Sequence, residues 1–257
     1  MDFEVCFLPR EATRQPPPVA VLIDVIRAST TIVTLLDRGA PEVVLVGQRD
    51  RPRLGELSAR LDALVCGEDA SGLMAADADL PPSPAALHDI DLKERRVILA
   101  TTNGTLAAEL VRDCGVEHVL IGCMRNGAAV MRSAVSRALQ LERSISLVCA
   151  GREHCRIPAL DDSYCAAALL RHGEEIVRAG GAGATLRESA WIARNAASVF
   201  AGTREAFDRS MSAAVIRRIG AAADVGYCAE EDVSELVPVL HFGTGISAIV
   251  VRKESKG

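Results

Sequence analysis

The stretch VAVLIDVIRASTT, Val19 to Thr31, decides how the chain is read. Val19 to Ile23 is a continuous apolar run, rich in β-branched residues and preceded by Pro16 to Pro18. That pattern suits a short strand covered on both faces. Asp24 then stands at or near the strand's carboxyl end. Ala28 to Leu36 is apolar at helical spacing, and Ser29, Thr30 and Thr31 are residue types that populate helix starts, so a helix is expected over Ile32 to Arg38 with a stop at Gly39. The strand delivers Asp24 and Arg27 into the loop before that helix. In open α/β sheets ligands bind at this edge, and helix N-termini there favour anions. Taken alone, the loop has a plainer reading, with Asp24 as a helix cap and Arg27 as a solvated charge. The rest of the chain shifts that balance.

The same theme recurs twice. Arg96 to Ala100 leads through TTNGT to a helix at Leu106 to Asp113, a stop at Gly115 and a strand at His118 to Ile121. Ile145 to Cys149 leads through AGREHCRIPALDDS to a helix at Tyr164 to His172. Parallel neighbours need crossovers and helices supply them, so three such units predict a three-layer α/β/α fold with a mostly parallel central sheet. A strand is expected at Glu42 to Val46, an amphipathic helix over Gln48 to Leu64, and a long irregular loop over Asp69 to Pro84. RAGGAGA, Arg178 to Ala184, leads into a helical segment from about Leu186 to Ile219. VSELVPVL and HFGTGISAIVV form a final hairpin whose turn holds Gly243 and Gly245. The whole chain, 1–257, is read as one α/β domain.

Composition narrows the function classes. The 257 residues are 49% hydrophobic, enough for a sizeable core, and 34 acidic against 29 basic side chains leave a net charge of -5. With no dense Lys/Arg tract and few aromatic residues, nucleic acid and anionic membrane are not expected partners. The N-terminus lacks the basic and then apolar layout of a signal peptide, and no apolar run reaches membrane-spanning length. Eight scattered cysteines without a C-x-x-C pair read as buried small hydrophobes in a reducing cytoplasm. A homo-oligomer stays open.

The polar loops carry the chemistry. Thr101, Thr102, Asn103, Gly104 and Thr105 follow a strand and precede a helix, so hydroxyls, an amide and free N–H groups can surround a phosphate or carboxylate. Ser29 and Thr30 belong to the corresponding helix start in the first unit. The third loop contributes Arg152, Glu153, His154, Asp161 and Asp162. With Asp24 and Glu68, the two aspartates could converge at one sheet edge as hard oxygen ligands, a set suited to Mg²⁺ bridging to a substrate phosphate. Each acid singly is also accounted for as a cap or a surface charge.

Other phosphate chemistries are excluded by their missing signatures. Cys149 and Arg156 enclose six residues where a cysteine phosphatase needs five, and the position two after Asp24 is Ile26 where an aspartyl-phosphate hydrolase wants a second Asp. No phosphate-binding loop with lysine, dinucleotide fingerprint or serine nucleophile elbow occurs.

Together the loops resemble a known family. IDVIRASTTIV with Gly39 and Ala40, PSP (Pro82 to Pro84), TTNGT, IGCMRNGAAV, VCAG (Val148 to Gly151), LDDSYCAA and CAEEDVSELVPVL closely resemble the 2-phosphosulfolactate phosphatase family, in the same order over nearly the whole chain. The resemblance implies an Mg²⁺-dependent phosphatase on an α/β/α fold that converts 2-phospho-3-sulfolactate to sulfolactate, a step associated with coenzyme M biosynthesis. It departs from the pattern at GEDASGL, where the family commonly shows a GERGG-like segment, at Pro82, at Asp161, and around Ser210 to Val215, where a histidine and a glycine are missing. These changes bear on substrate identity and keep two alternatives open, a phosphatase for another phosphorylated hydroxy acid and a non-catalytic relative that binds a small anion.

Joined to the reading of the residues, the resemblance gives a set of expectations. Asp24, Asp161, Asp162 and Glu68 are the candidate Mg²⁺ ligands, with Asp24, Arg27 and Asp161 as the catalytic set. Arg27 clamps the phosphate of a small anionic substrate and TTNGT donates to it. Arg125 and Asn126 face the remote anion, or else form a basic helix start and an ordinary turn. The attacking group is water or Asp24 itself.

Overall fold

The run Val19–Ile23 is buried at all five positions and forms a strand with neighbours on both sides, as an apolar β-branched run demands. The computed structural model describes residues 1–13, 17–141, 144–243 and 249–254. Among these residues the strands are β1 (Asp2–Cys6), β2 (Val19–Ile23), β3 (Val43–Leu45), β4 (Ala63–Gly67), β5 (Arg96–Ala100), β6 (His118–Ile121), β7 (Ile145–Cys149), β8 (Thr185–Leu186), β9 (Pro238–Phe242) and β10 (Ile249–Lys253). The helices are α1 (Ala28–Asp37), α2 (Leu54–Leu61), α3 (Pro84–Leu87), α4 (Gly104–Asp113), α5 (Gly127–Leu141), α6 (Leu160–Ala179), α7 (Glu188–Ala197), α8 (Thr203–Asp208), α9 (Met211–Arg218) and α10 (Ala222–Cys228).

The strands form one sheet in the order β4-β5-β3-β10-β9-β6-β2-β7-β1-β8. Two parallel groups, β4-β5-β3 and β6-β2-β7-β1-β8, are joined by the antiparallel pair β9 and β10. Helices α5 and α6 cover one face of the second group, with Phe3, Val21, Ile23 and Leu147 packed beneath them. Helix α2 covers β3, β4 and β5 through Leu54 and Leu57. Helices α1 and α4 share a third cluster with residues from both groups, including Leu22, Leu45, Leu99 and Ile121. The result is a mostly parallel sheet with helices on both faces and a helical segment, α7 to α10, before the last strands.

The joining hairpin reverses the two groups with respect to each other, which in a flat sheet would put their carboxyl ends on opposite edges. A right-handed twist of about 20–25° per neighbouring pair, accumulated over the five steps from β5 to β2, turns opposed strands into crossed ones. The ends of β2, β4 and β5 can therefore approach each other.

Several element readings are corrected. Helix α1 begins at Ala28, ahead of the hydroxyl residues, so Ser29, Thr30 and Thr31 lie in its first turn. The helix expected over Gln48 to Leu64 is present but shorter: a 3-10 turn at Arg51–Arg53 leads into α2, which ends at Leu61, Asp62 turns in the left-handed region (φ 48°), and Ala63 begins β4. Helix α6 runs from Leu160 to Ala179, longer at both ends than Tyr164 to His172. The final hairpin is present as β9 and β10; Gly243 follows β9, and Gly245 lies outside the described residues.

Candidate functional site

Asp24 leaves the end of β2 into a loop that its own helix closes. The Asp24 N–H donates to Ser29 Oγ (2.8 Å) and its carbonyl accepts from the Ser29 N–H (2.8 Å). Thr30 Oγ1 donates to the Val25 carbonyl (2.8 Å). Ser29 and Thr30 thus fold the loop back on itself and do not line the cavity beside it. The Asp24 carboxylate caps weakly, accepting the Ala28 N–H at 3.4 Å.

The two acids at the start of α6 have different surroundings. Asp162 accepts the Val25 N–H at Oδ1 (2.8 Å) and the Gly151 N–H at Oδ2 (2.9 Å), tying the ends of the neighbouring strands β2 and β7. Burial beside Asp161 and Asp24 pushes its pKa up, while those two N–H donors pull the other way. Asp161 accepts the Ser212 hydroxyl at Oδ1 (2.9 Å), and burial raises its pKa to about 6. Burial, then the charges of Glu68 and Asp161, raise that of Asp24 to about 7.

A cavity of about 310 Å³ opens beside Asp24. Its wall includes Arg27, Thr31, Glu68, Thr101, Thr102 and Asn103, with Arg152, Glu153 and Ser212 on the side of the third loop and α9. Ala70, Ser71, Gly72 and Pro82 come from the long loop after β4. Gly104 makes the close approach possible: a Cβ there would lie 2.4 Å from Ala28 Cβ and 3.0 Å from Asp24 Oδ2. Thr105 Oγ1 donates to the Thr101 carbonyl and does not line the cavity.

Arg27 is committed in place. Nη1 donates to Asp224 Oδ2 (3.0 Å), and Nη2 donates to Glu68 Oε2 (3.3 Å) and the Gly72 carbonyl (2.8 Å). Glu68 Oε1 accepts the Thr102 N–H (2.8 Å), so this acid fastens the TTNGT loop to Arg27. Asp224, fully buried on α10, also accepts the Ser83 hydroxyl (2.6 Å) and the Ala85 N–H (3.1 Å) at Oδ1. One polar atom is conspicuous: Thr101 Oγ1 is buried with no hydrogen-bond partner among the described residues.

Arg125 and Asn126 are not among the residues lining this cavity. The Arg125 guanidinium pairs with Glu230, donates to the Tyr227 carbonyl and stacks on the Tyr227 ring at 3.8 Å. Asn126 spends its amide on the Ile121 and Leu236 carbonyls and its oxygen on the Cys123 N–H. Asp224 and Ser212 have no local signal in the sequence; Arg152 and Glu153 are read there as members of the third polar loop, with no role assigned to them.

The donors suit magnesium in kind, since buried carboxylates that repel each other beside an open cavity are stabilised by a hard cation. Among the described residues no group of three or more His, Cys, Asp or Glu is placed to hold a metal ion. Mg²⁺ usually takes one or two carboxylates and completes its shell with water and substrate phosphate, so Asp24, which lines the cavity, with Asp161, buried and not among the lining residues, is sufficient in number.

The family model of 2-phosphosulpholactate phosphatase matches residues 6–243. The chain belongs to the 2-phosphosulpholactate phosphatase family. Relatives within it carry the name "probable 2-phosphosulfolactate phosphatase". The one from Deinococcus radiodurans is 34% identical, covering 92% of this chain and 93% of its own. That from Thermus thermophilus is 30% identical over 92% and 93%, and that from Pseudothermotoga lettingae 29% over 92% and 94%. The name describes a phosphoric monoester hydrolase. Among the described residues no helix is long and apolar enough to cross a membrane.

Proposed function

We propose that the cavity beside Asp24 hydrolyses a small phosphomonoester, 2-phospho-3-sulfolactate, to 3-sulfolactate and phosphate. Family membership supports the reaction class, and the observation that carries the site assignment is Thr101. Thr101 lines the cavity in the loop before α4, and its hydroxyl is buried with no hydrogen-bond partner among the described residues. A buried hydroxyl left unpaired is costly, and a phosphoryl oxygen seated there would satisfy it. The free N–H groups of α4's first turn and the helix dipole favour the same anion.

The chemistry needs little covalent work from the protein. Water's oxygen bonds to phosphorus as the ester P–O bond breaks, and the proton that water loses is matched by the one the departing hydroxy acid gains. The loose transition state of phosphoryl transfer makes positioning and charge stabilisation the main tasks. Thr101 and the start of α4 hold the phosphoryl oxygens. Arg27, locked by Asp224 and Glu68, keeps a positive charge fixed at the wall. Asp24 and Asp161 would hold Mg²⁺, which supplies neutralisation of phosphoryl charge. The purified protein should release inorganic phosphate from 2-phospho-3-sulfolactate with a higher kcat/KM than from 2-phospholactate. Absence of release from both would refute the reading. A cytoplasmic role in coenzyme M biosynthesis is part of the same proposal, by its resemblance to the family.

A further inference from the structure

We propose that Arg152 binds the sulfonate at the end of the substrate remote from the phosphate, and so sets the enzyme's preference for a sulfonated hydroxy acid. This rests on the phosphomonoesterase reading above. Two cationic side chains line the cavity, Arg27 and Arg152. Arg27 is 7% exposed, and both ends of its fork are spent on Asp224, Glu68 and the Gly72 carbonyl, which leaves it little capacity for a second anion. Arg152 differs: among the described residues its side chain makes no hydrogen bond or close ion pair, although its charge is felt at Asp161. A substrate carrying three acidic groups needs more than one fixed cation, and among the described residues Arg152 is the cation of the wall whose donors make no hydrogen bond.

The backbone holds Arg152 in position. Its N–H donates to the Ile157 carbonyl (2.8 Å), and its own carbonyl accepts from Arg156 (2.9 Å) and Ile157 (3.2 Å). Between these bonds Glu153, His154 and Cys155 all take left-handed φ values of 52°, 59° and 58°. Three such residues in a row cost free energy and persist only where the surroundings enforce them. The enforcing contact is the TTNGT loop: the His154 N–H donates to Asn103 Oδ1 (2.9 Å). The loop that carries Arg152 is thereby docked on the loop that carries Thr101. A planar guanidinium with five donors matches the oxygens of a sulfonate. The neighbouring Glu153, also in the wall, makes an unassisted second anion unwelcome there.

The test is calorimetric binding of 3-sulfolactate and of lactate to the wild type, Arg152→Ala and Arg152→Lys, with phosphate release by the wild type measured alongside. Arg152→Ala should weaken sulfolactate binding about tenfold or more relative to lactate, a loss typical of a charge-assisted pair. Arg152→Lys should recover part of it. Equal losses for the two ligands, or none for sulfolactate, would overturn the assignment. Arg152-dependent sulfolactate binding without phosphate release would instead refute the phosphatase reading and leave the subsite standing.

Discussion

Arg27 and Asp224 lie 197 positions apart in the chain and meet at 3.0 Å, with both side chains buried. The pair links the first site loop to α10, and through the second oxygen of Asp224 to Ser83 and the start of α3. Asp224 is not among the residues lining the cavity beside Asp24, so it acts by positioning Arg27.

Removing that charge should therefore hurt catalysis through geometry. Asp224→Asn keeps the size of the side chain but removes the more buried of the two carboxylates paired with Arg27, leaving Glu68, and breaking a buried pair in this way costs up to about 3–5 kcal/mol. The expected outcome is a lower melting temperature and a fall of about 10-fold to 100-fold in kcat/KM, mostly in kcat. Denaturation curves and steady-state kinetics on the same preparation check both. An unchanged kcat in a folded variant would contradict the positioning role.

Two glycines should respond oppositely to the same added methyl. At Gly104 the new carbon would sit 2.4 Å from Ala28 Cβ and beside Asp24, so Gly104→Ala should cost about 1–3 kcal/mol and most of the activity. At Gly55, on α2, nothing lies within 4 Å, and Gly55→Ala should be neutral or stabilising by up to about 1 kcal/mol. Urea denaturation of the two variants separates these outcomes.

Asp24 makes stability depend on pH in a defined direction. Its folded pKa of about 7 stands above the ordinary value of 3.8, so the folded state binds this proton more tightly than the unfolded state. The stabilisation from protonated Asp24 is complete below 3.8 and is lost as pH rises through about 7. In EDTA at about pH 8, Asp24→Asn should melt above the wild type, and the gap should close towards about pH 5. Added Mg²⁺ should raise the wild type's melting temperature at the higher pH. A gap independent of pH would contradict this account.

The thiols should be inert. The cysteines are all free and, apart from the half-buried Cys114, buried; burial pushes the thiol pKa of Cys6, Cys66 and Cys155 up to about 12. Thiolate is the reactive form, so brief alkylation of the native protein should modify Cys114 first and leave activity intact. Mass spectrometry of the labelled protein, with an activity assay, checks this.

How much was legible from sequence follows from the range of the interactions. The units around β2, β5 and β7 were readable because a buried run, a turn and a helix start are local signals, and they brought Asp24 and Thr101 to one cavity. Strand β4 was lost because ALVCG continues an apolar pattern already taken for helix, and only the left-handed turn at Asp62 separates the two. Strand β1 pairs with β7, a partner more than a hundred residues away, and nothing within DFEVC announces that. The sequence placed Arg125 correctly after a strand, but which way that loop faces depends on Tyr227 and Glu230 from the far end of the chain. Asp224 is invisible for the same reason.

The central claim is metal-assisted hydrolysis at Asp24, and the most direct measurement is the initial rate of phosphate release from 2-phospho-3-sulfolactate by wild type and Asp24→Asn, each with Mg²⁺ and with EDTA. The account predicts turnover by the wild type with Mg²⁺ only, and a loss of at least about 10³-fold in Asp24→Asn, the scale expected when a main source of transition-state charge stabilisation is removed. Full activity of the wild type in EDTA, or of a folded Asp24→Asn variant with Mg²⁺, would contradict it.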